Sequence, residues 1–128
     1  MSGTFEDLQA WRLTMDLATE VYRCTQLFPK VELYRLTDQM RRSAVSIPSN
    51  IAEGKGRSSD RELLQFLNHA RGSLYELQTQ IKLVARFSYL AGDTADKIGL
   101  QAAEVGKVLN GLIRNFRKIS TLGSETRA

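Results

Sequence analysis

His69 and Cys24 are the only histidine and cysteine of the chain, and they are the side chains best suited to hold a metal or attack a substrate. Their surroundings argue against both uses. Di-iron sites in helical bundles use Glu-x-x-His motifs on two helices with further glutamates, whereas the residue three before His69 is Phe66. One His and one Cys on different helices fall short of a zinc site. No glycine-rich loop follows a strand to cradle phosphates, because the sequence has no strand-like alternation. Cys24 sits at helical spacing with Leu17, Val21 and Phe28 and reads as a small buried hydrophobe. His69 reads as a packing or hydrogen-bonding residue. No catalytic residue, metal, cofactor or small-molecule substrate is expected.

The chemistry that remains is that of surfaces. In the stretch RRSAVSIPSNIAEGKGR, Pro48 interrupts a helical pattern at a cost of about 3 kcal/mol unless the freed carbonyl of Ala44 finds a partner. Ser46, Ser49 and Asn50 are placed to relieve such a kink. Ser43, Ser46, Asn50 and Gly54 form a small polar stripe on one helix face, and Asn50 is suited to fix register. A second small stripe, Gly99, Ala103, Gly106 and Asn110, lies later in the chain. Each interior glycine costs about 1 kcal/mol relative to alanine, so these residues mark close backbone approach rather than helix propensity. That approach is either packing inside the chain or packing between subunits.

Cations gather in three places. Arg41, Arg42, Lys55, Arg57 and Arg61 surround the proline stretch; Arg71 and Lys82 share a face with Tyr75 and Gln78; and Lys107, Arg114, Arg117 and Lys118 follow Glu104 with no acid before Glu125. The net charge of +4 is modest, so placement is the more informative quantity. Cations near a helix C-terminus also suit the helix dipole, which is the plain explanation for the last group. Asp38, Glu53, Asp60, Glu62 and Glu76 are interspersed and dilute the patches.

Four helical segments must position these residues. The first is predicted from about Glu6 to Leu27, with Leu8, Trp11, Met15, Ala18 and Tyr22 inward, ending before Pro29. The second starts with Thr37 as N-cap and Asp38 in its first turn, buries Leu36, Met40, Ala44, Ile47 and Ile51, and ends at Gly54 and Gly56 in left-handed geometry. The third opens on the capping box Ser59-x-x-Glu62, with Asp60 in its first turn. It carries Leu63, Leu67, Ala70, Leu74, Leu77, Ile81 and Val84 inward and closes at Gly92. The fourth, capped by Asp93, buries Ile98, Ala102, Val105, Leu109, Leu112, Phe116 and Ile119. Residues 120–128 read as a flexible tail around an ordered core of about 5–119. At 128 residues this is one domain, all-α, most simply an antiparallel up-down-up-down four-helix bundle with the second helix kinked. Charges interrupt the first twenty residues, and no run is apolar enough to span a bilayer, so a cytoplasmic location without membrane attachment is expected.

The run LTDQMRRSAVSIPSNIAEGKGR, preceded by FEDLQAW and VYRCTQLFPKVE and followed by ELLQFLNHARGSLYELQTQIKLV, resembles the 23S rRNA intervening-sequence protein family over nearly all of residues 5–119. The resemblance implies an antiparallel four-helix bundle assembled as a ring-shaped homopentamer. Some members are encoded within 23S rRNA insertions, and a related branch is the basic pentameric accessory protein of diversity-generating retroelements, which works with nucleic acid. The expected function is a non-enzymatic scaffold for structured RNA, DNA or an RNA-protein complex. The alternative is a protein-protein adaptor whose cations only keep it soluble.

Overall fold

A computed structural model describes the backbone of residues 8–127 and the side chains of residues 8–119. Four helices carry the fold: α1 (Gln9–Thr25), α2 (Leu36–Lys55), α3 (Asp60–Arg86) and α4 (Gly92–Arg127), with a short 3-10 turn at Lys30–Glu32 between the first two. No strand occurs among the described residues. Each helix packs on its neighbours in the chain and α4 closes back onto α1, while the backbones of α1 and α3, like those of α2 and α4, stay apart among the described residues. Numbers rise along α2 as they fall along α3: Ser43 meets Glu76, Ser46 meets Ser73, and Gly54 abuts Leu63 and Phe66.

The core face of α1 differs from expectation. Ala10, Thr14, Leu17, Ala18, Val21 and Thr25 are buried, whereas Met15 and Tyr22 are 41% and 44% exposed. Two apolar stripes compete on this helix, and the one through Leu17 and Val21 turns inward. Two threonines can join it because each hydroxyl bonds a carbonyl of its own helix: Thr14 donates to Trp11 O at 2.7 Å and Thr25 to Val21 O at 2.8 Å. Cys24 is only half-buried. The helix stops at Thr25, short of Leu27, and its expected start at Glu6 lies outside the described residues.

In α2 the N-cap position is Arg35, not Thr37. Thr37 is the second residue of the helix and buried, and Asp38 pairs instead with Arg42 at 3.0 Å. The inward positions Met40, Ala44, Ile47 and Ile51 are fully buried, with Leu36 packed against them. The helix runs through Pro48 to Lys55. Asn50 does not reach the Ala44 carbonyl; its Nδ2 donates to Ser46 O at 2.8 Å and to Ser46 Oγ at 3.0 Å. Gly56 caps the helix at φ −80°, so no left-handed glycine ends it, and Gly54 lies inside, buried against α3.

Ser59 caps α3, accepting from the Glu62 amide at 3.2 Å, and every residue of the expected α3 stripe is buried. The helix ends at Arg86 rather than Gly92, which instead begins α4. Ser88 takes the left-handed conformation at φ 61°. Around it the Tyr89 amide donates to Val84 O at 2.9 Å and the Ser88 amide to Ala85 O at 3.1 Å, a Schellman closure that offsets the roughly 1–2 kcal/mol a side chain costs there. On α4, Ala95, Ile98, Ala102, Val105, Leu109 and Ile113 are buried, Leu112 and Phe116 pack partly, and Ile119 is 44% exposed. The expected tail at 120–128 lies outside the described side chains.

Gly54 and Gly72 test the packing. A β-carbon at Gly54 would stand 2.8 Å from the β-carbon of Phe66, an atom tied to its backbone, whereas one at Gly72 meets nothing within 4 Å. Gly54→Ala should lower stability, since overpacking costs about 1–3 kcal/mol. Gly72→Ala should raise it by about 1 kcal/mol through helix propensity. Urea unfolding of both variants checks the pair of opposite signs.

Candidate nucleic-acid interface

The two small stripes divide among different neighbours. Along α2, the Ser43 hydroxyl donates to Glu76 Oε1 at 2.7 Å, Ser46 and Ser73 share a hydrogen bond at 2.8 Å, and Gly54 abuts Phe66 and Leu63. These residues form a polar, close-packed seam with α3 within one chain, and Asn50 braces Ser46 from inside α2. Pro48 turns the other way, into a hollow of about 530 Å³ between α1 and α2. Along α4, a β-carbon at Gly106 would touch Leu74, and Asn110 Oδ1 accepts from Arg71 Nη1 at 3.1 Å, so both face α3. Gly99 and Ala103 instead line a groove of about 750 Å³ open to solvent between α3 and α4.

The cations divide just as sharply. Arg41 Nε donates to Thr25 Oγ1 at 2.9 Å and its guanidinium lies 4.7 Å from the Tyr22 ring centre. Arg42 holds Asp38. Arg57 bonds Glu53 at 3.1 Å and stacks over Phe66 at 4.7 Å. Arg71 spends two nitrogens on Asn110 and Asn68. Exposed pairs of this kind contribute only about 0–1 kcal/mol, but they occupy donors that a phosphate would need. Lys55 is half-buried, and Arg117 is exposed with an interaction of its own. Arg61, Lys82, Lys107, Arg114 and Lys118 are exposed and carry no partner among the described residues. Spacing alone marks the i,i+4 pairs of Arg42 with Asp38 and Arg57 with Glu53, but not the hold on Arg41 and Arg71, which comes from side chains of other helices.

Burial pushes the Cys24 thiol up from its ordinary value, with Glu20 adding to the effect, so it is a poor source of thiolate. His69 is exposed and meets the Phe66 ring edge-on at 6.0 Å. Among the described residues no three His, Cys, Asp or Glu side chains gather to hold a metal ion, and no helix is long and apolar enough to cross a membrane. Tyr89, which sequence reading passed over, donates its hydroxyl to Glu32 Oε2 at 2.8 Å and ties the loop after α1 to the loop after α3, with Phe28 and Phe87 rings beside it. No periodic signal announces it, since both partners lie in loops.

The sequence profile of a family described as 23S rRNA-intervening sequence protein matches residues 6–111. The chain belongs to that family. No curated protein matches this intervening-sequence family member. A crystal structure described as a protein with unknown function from the S23 ribosomal protein family of Bacteroides thetaiotaomicron VPI-5482 shares its fold, with a TM-score of 0.76 and 22% identity, over 82% of this chain and 95% of that one.

The Glu32 bond raises the Tyr89 pKa above its ordinary value, with desolvation and the carboxylate charge adding to it. The neutral hydroxyl is the form that bonds. Its contribution is therefore complete below the ordinary tyrosine pKa, about 10, and is lost as pH rises through the raised folded value. The folded protein should therefore show a phenolate absorbance step above the ordinary tyrosine range, and Tyr89→Phe should remove it.

Proposed function

We propose that this protein is a non-enzymatic scaffold that assembles with its own copies and holds nucleic acid electrostatically in the cytoplasm. Its chain is read as an antiparallel up-down-up-down four-helix bundle bent at Pro48, in a ring-shaped homopentamer as the family resemblance implies. The falling register of α3 against α2 supports the antiparallel order. The desolvated thiol of Cys24 argues against nucleophilic chemistry. The description of the family refers to a 23S rRNA intervening sequence, which favours structured RNA over DNA as the partner.

The observation that carries the nucleic-acid reading is the exposed row Lys107, Arg114 and Lys118. Steps of seven and four put these residues on one side of α4 over about 16 Å, room for several phosphates at about 3.4 Å each along a strand. The helix dipole does not account for them. Its influence is confined to the last turn, and α4 continues to Arg127, two turns beyond Lys118. A ring would repeat the row, giving a backbone-directed contact with steep salt dependence and no base readout.

Titration with generic RNA and with duplex DNA at several salt concentrations tests this. Binding is expected at low salt with a negative slope of log affinity on log salt. Arg114→Glu combined with Lys118→Glu should weaken binding at every sequence and flatten the slope by about 2 per bound subunit. No association at low ionic strength would leave the protein-adaptor reading in its place.

A further inference from the structure

We propose that two copies of this chain pair antiparallel through the outer faces of α4, acidic half against basic half, and that the pairing covers the cationic row that nucleic acid would use. The inference rests on the self-association read above and names one of its contacts.

The line Asp93, Asp96, Leu100, Glu104, Lys107, Gly111, Arg114 and Lys118 advances in steps of three and four, so it stays on one side of α4 for about 38 Å. Its six charged members are exposed, acids first and bases after. Asp93 takes the amide of Thr94 on one oxygen, at 2.8 Å, and none of the six meets an opposite charge among the described residues. That order is self-complementary under a two-fold. Turned end for end on a second copy, the line sets Asp93 opposite the partner's Lys118, Asp96 opposite the partner's Arg114 and Glu104 opposite the partner's Lys107, all within one residue of a single register.

An antiparallel two-fold also lays each flank of the face on the same flank of the other copy. Asn110, bonded to Arg71, marks the α3 flank, and Val108, beside Ala10, marks the α1 flank. By helical position Asp96 and Arg114 both lie toward α3, while Asp93 and Lys118 both lie toward α1. Each pair therefore meets on its own side.

The same register answers the large apolar side chain on the line. Leu100 is 74% exposed, more than any other large apolar side chain within the four helices among the described residues. It falls opposite the partner's Gly111, and Gly111 lines a hollow of about 290 Å³ with Leu8, Ala10, Val108 and Leu112. A β-carbon at Gly111 would find only Arg114 Nη2, at 3.8 Å, the far end of the side chain that Asp96 of the other copy draws aside.

Three further cations border the face without joining the pairs. Lys97, toward α1, and Arg117, toward α3, stand about a quarter turn off the line, and Lys82 of α3 lines the groove that Asp96 and Leu100 also line. Their long side chains reach solvent at the margins. A polyanion would take the basic half of the line and be repelled by the acids on it. A partner with the reversed order answers both halves, and a second copy is such a partner.

The test uses two double variants at exposed positions, Asp96→Lys with Glu104→Lys and Lys107→Glu with Arg114→Glu, and the chain that carries all four substitutions. Circular dichroism checks that each is helical, and sedimentation velocity at low salt reads its size. A two-fold contact doubles whatever it joins, a single chain or a ring. Wild type should therefore hold an even number of chains, and each double variant should fall to half its mass. The fourfold variant exchanges the signs and should recover wild-type mass. Double variants of wild-type mass would overturn the pairing while leaving self-association intact. A fourfold variant of half mass would overturn the register, and a monomeric wild type would overturn self-association as well. These runs contain no nucleic acid, so a failure to bind RNA leaves their result unchanged. Generic RNA that does bind should halve the number of chains per particle; binding with the pair intact would overturn the covering of the row.

Discussion

The seam between α2 and α3 sets the terms for the rest of the molecule. At Gly54 the two helices approach so closely that a single β-carbon has no place, and two turns earlier serines replace the bulkier residues a bundle seam usually carries. Hydroxyl groups can be buried there because each finds a partner: Ser43 on Glu76, Ser46 on Ser73. With that face committed to α3, Pro48 is rotated toward α1, where a missing amide hydrogen does not disturb the tight seam. The open hollow beside α1 is thus a by-product of closeness on the opposite side of α2.

The same geometry sorts the charges. Arg41 and Arg57 lie over rings of the neighbouring helices, Tyr22 and Phe66, while Arg42 and Arg57 pair with carboxylates one turn back in the chain, Asp38 and Glu53, so the arginines around the proline stretch are largely taken up. The later half of α4 is different. There Arg114 and Lys118, like Lys107 before them, face solvent with no partner among the described residues.

Much of the architecture was legible in the residues. The alternating steps of the α3 stripe admit one buried face, and Ser59 with Glu62 marks its start, so both were read as they stand. The face of α1 was not, because two apolar stripes fit the period and only the neighbouring helices choose between them. The end of α3 was placed too late, since glycine is the usual left-handed residue and here a serine takes that role within a Schellman closure. The small stripe of α2 marks close approach in the sequence itself, but its spacing fits a partner in the same chain as well as one in another, and only the packed helices name α3. Of the candidate interface, the spacing of Lys107, Arg114 and Lys118 was visible; the occupation of Arg41, Arg57 and Arg71 was not, because each is held by a residue distant in the sequence or by a ring.

The bond from Tyr89 to Glu32 spans fifty-seven positions of the chain. Neighbouring helices, α2 with α3 above all, can pair through contacts near in sequence, whereas this bond needs both connecting loops already shaped and brought together. Contacts of such separation are made late in folding, after the entropy of closing the intervening chain has been met. The phenol thus fastens two loops that the packed helices have already brought together, and a substitution there should hasten unfolding more than it slows folding.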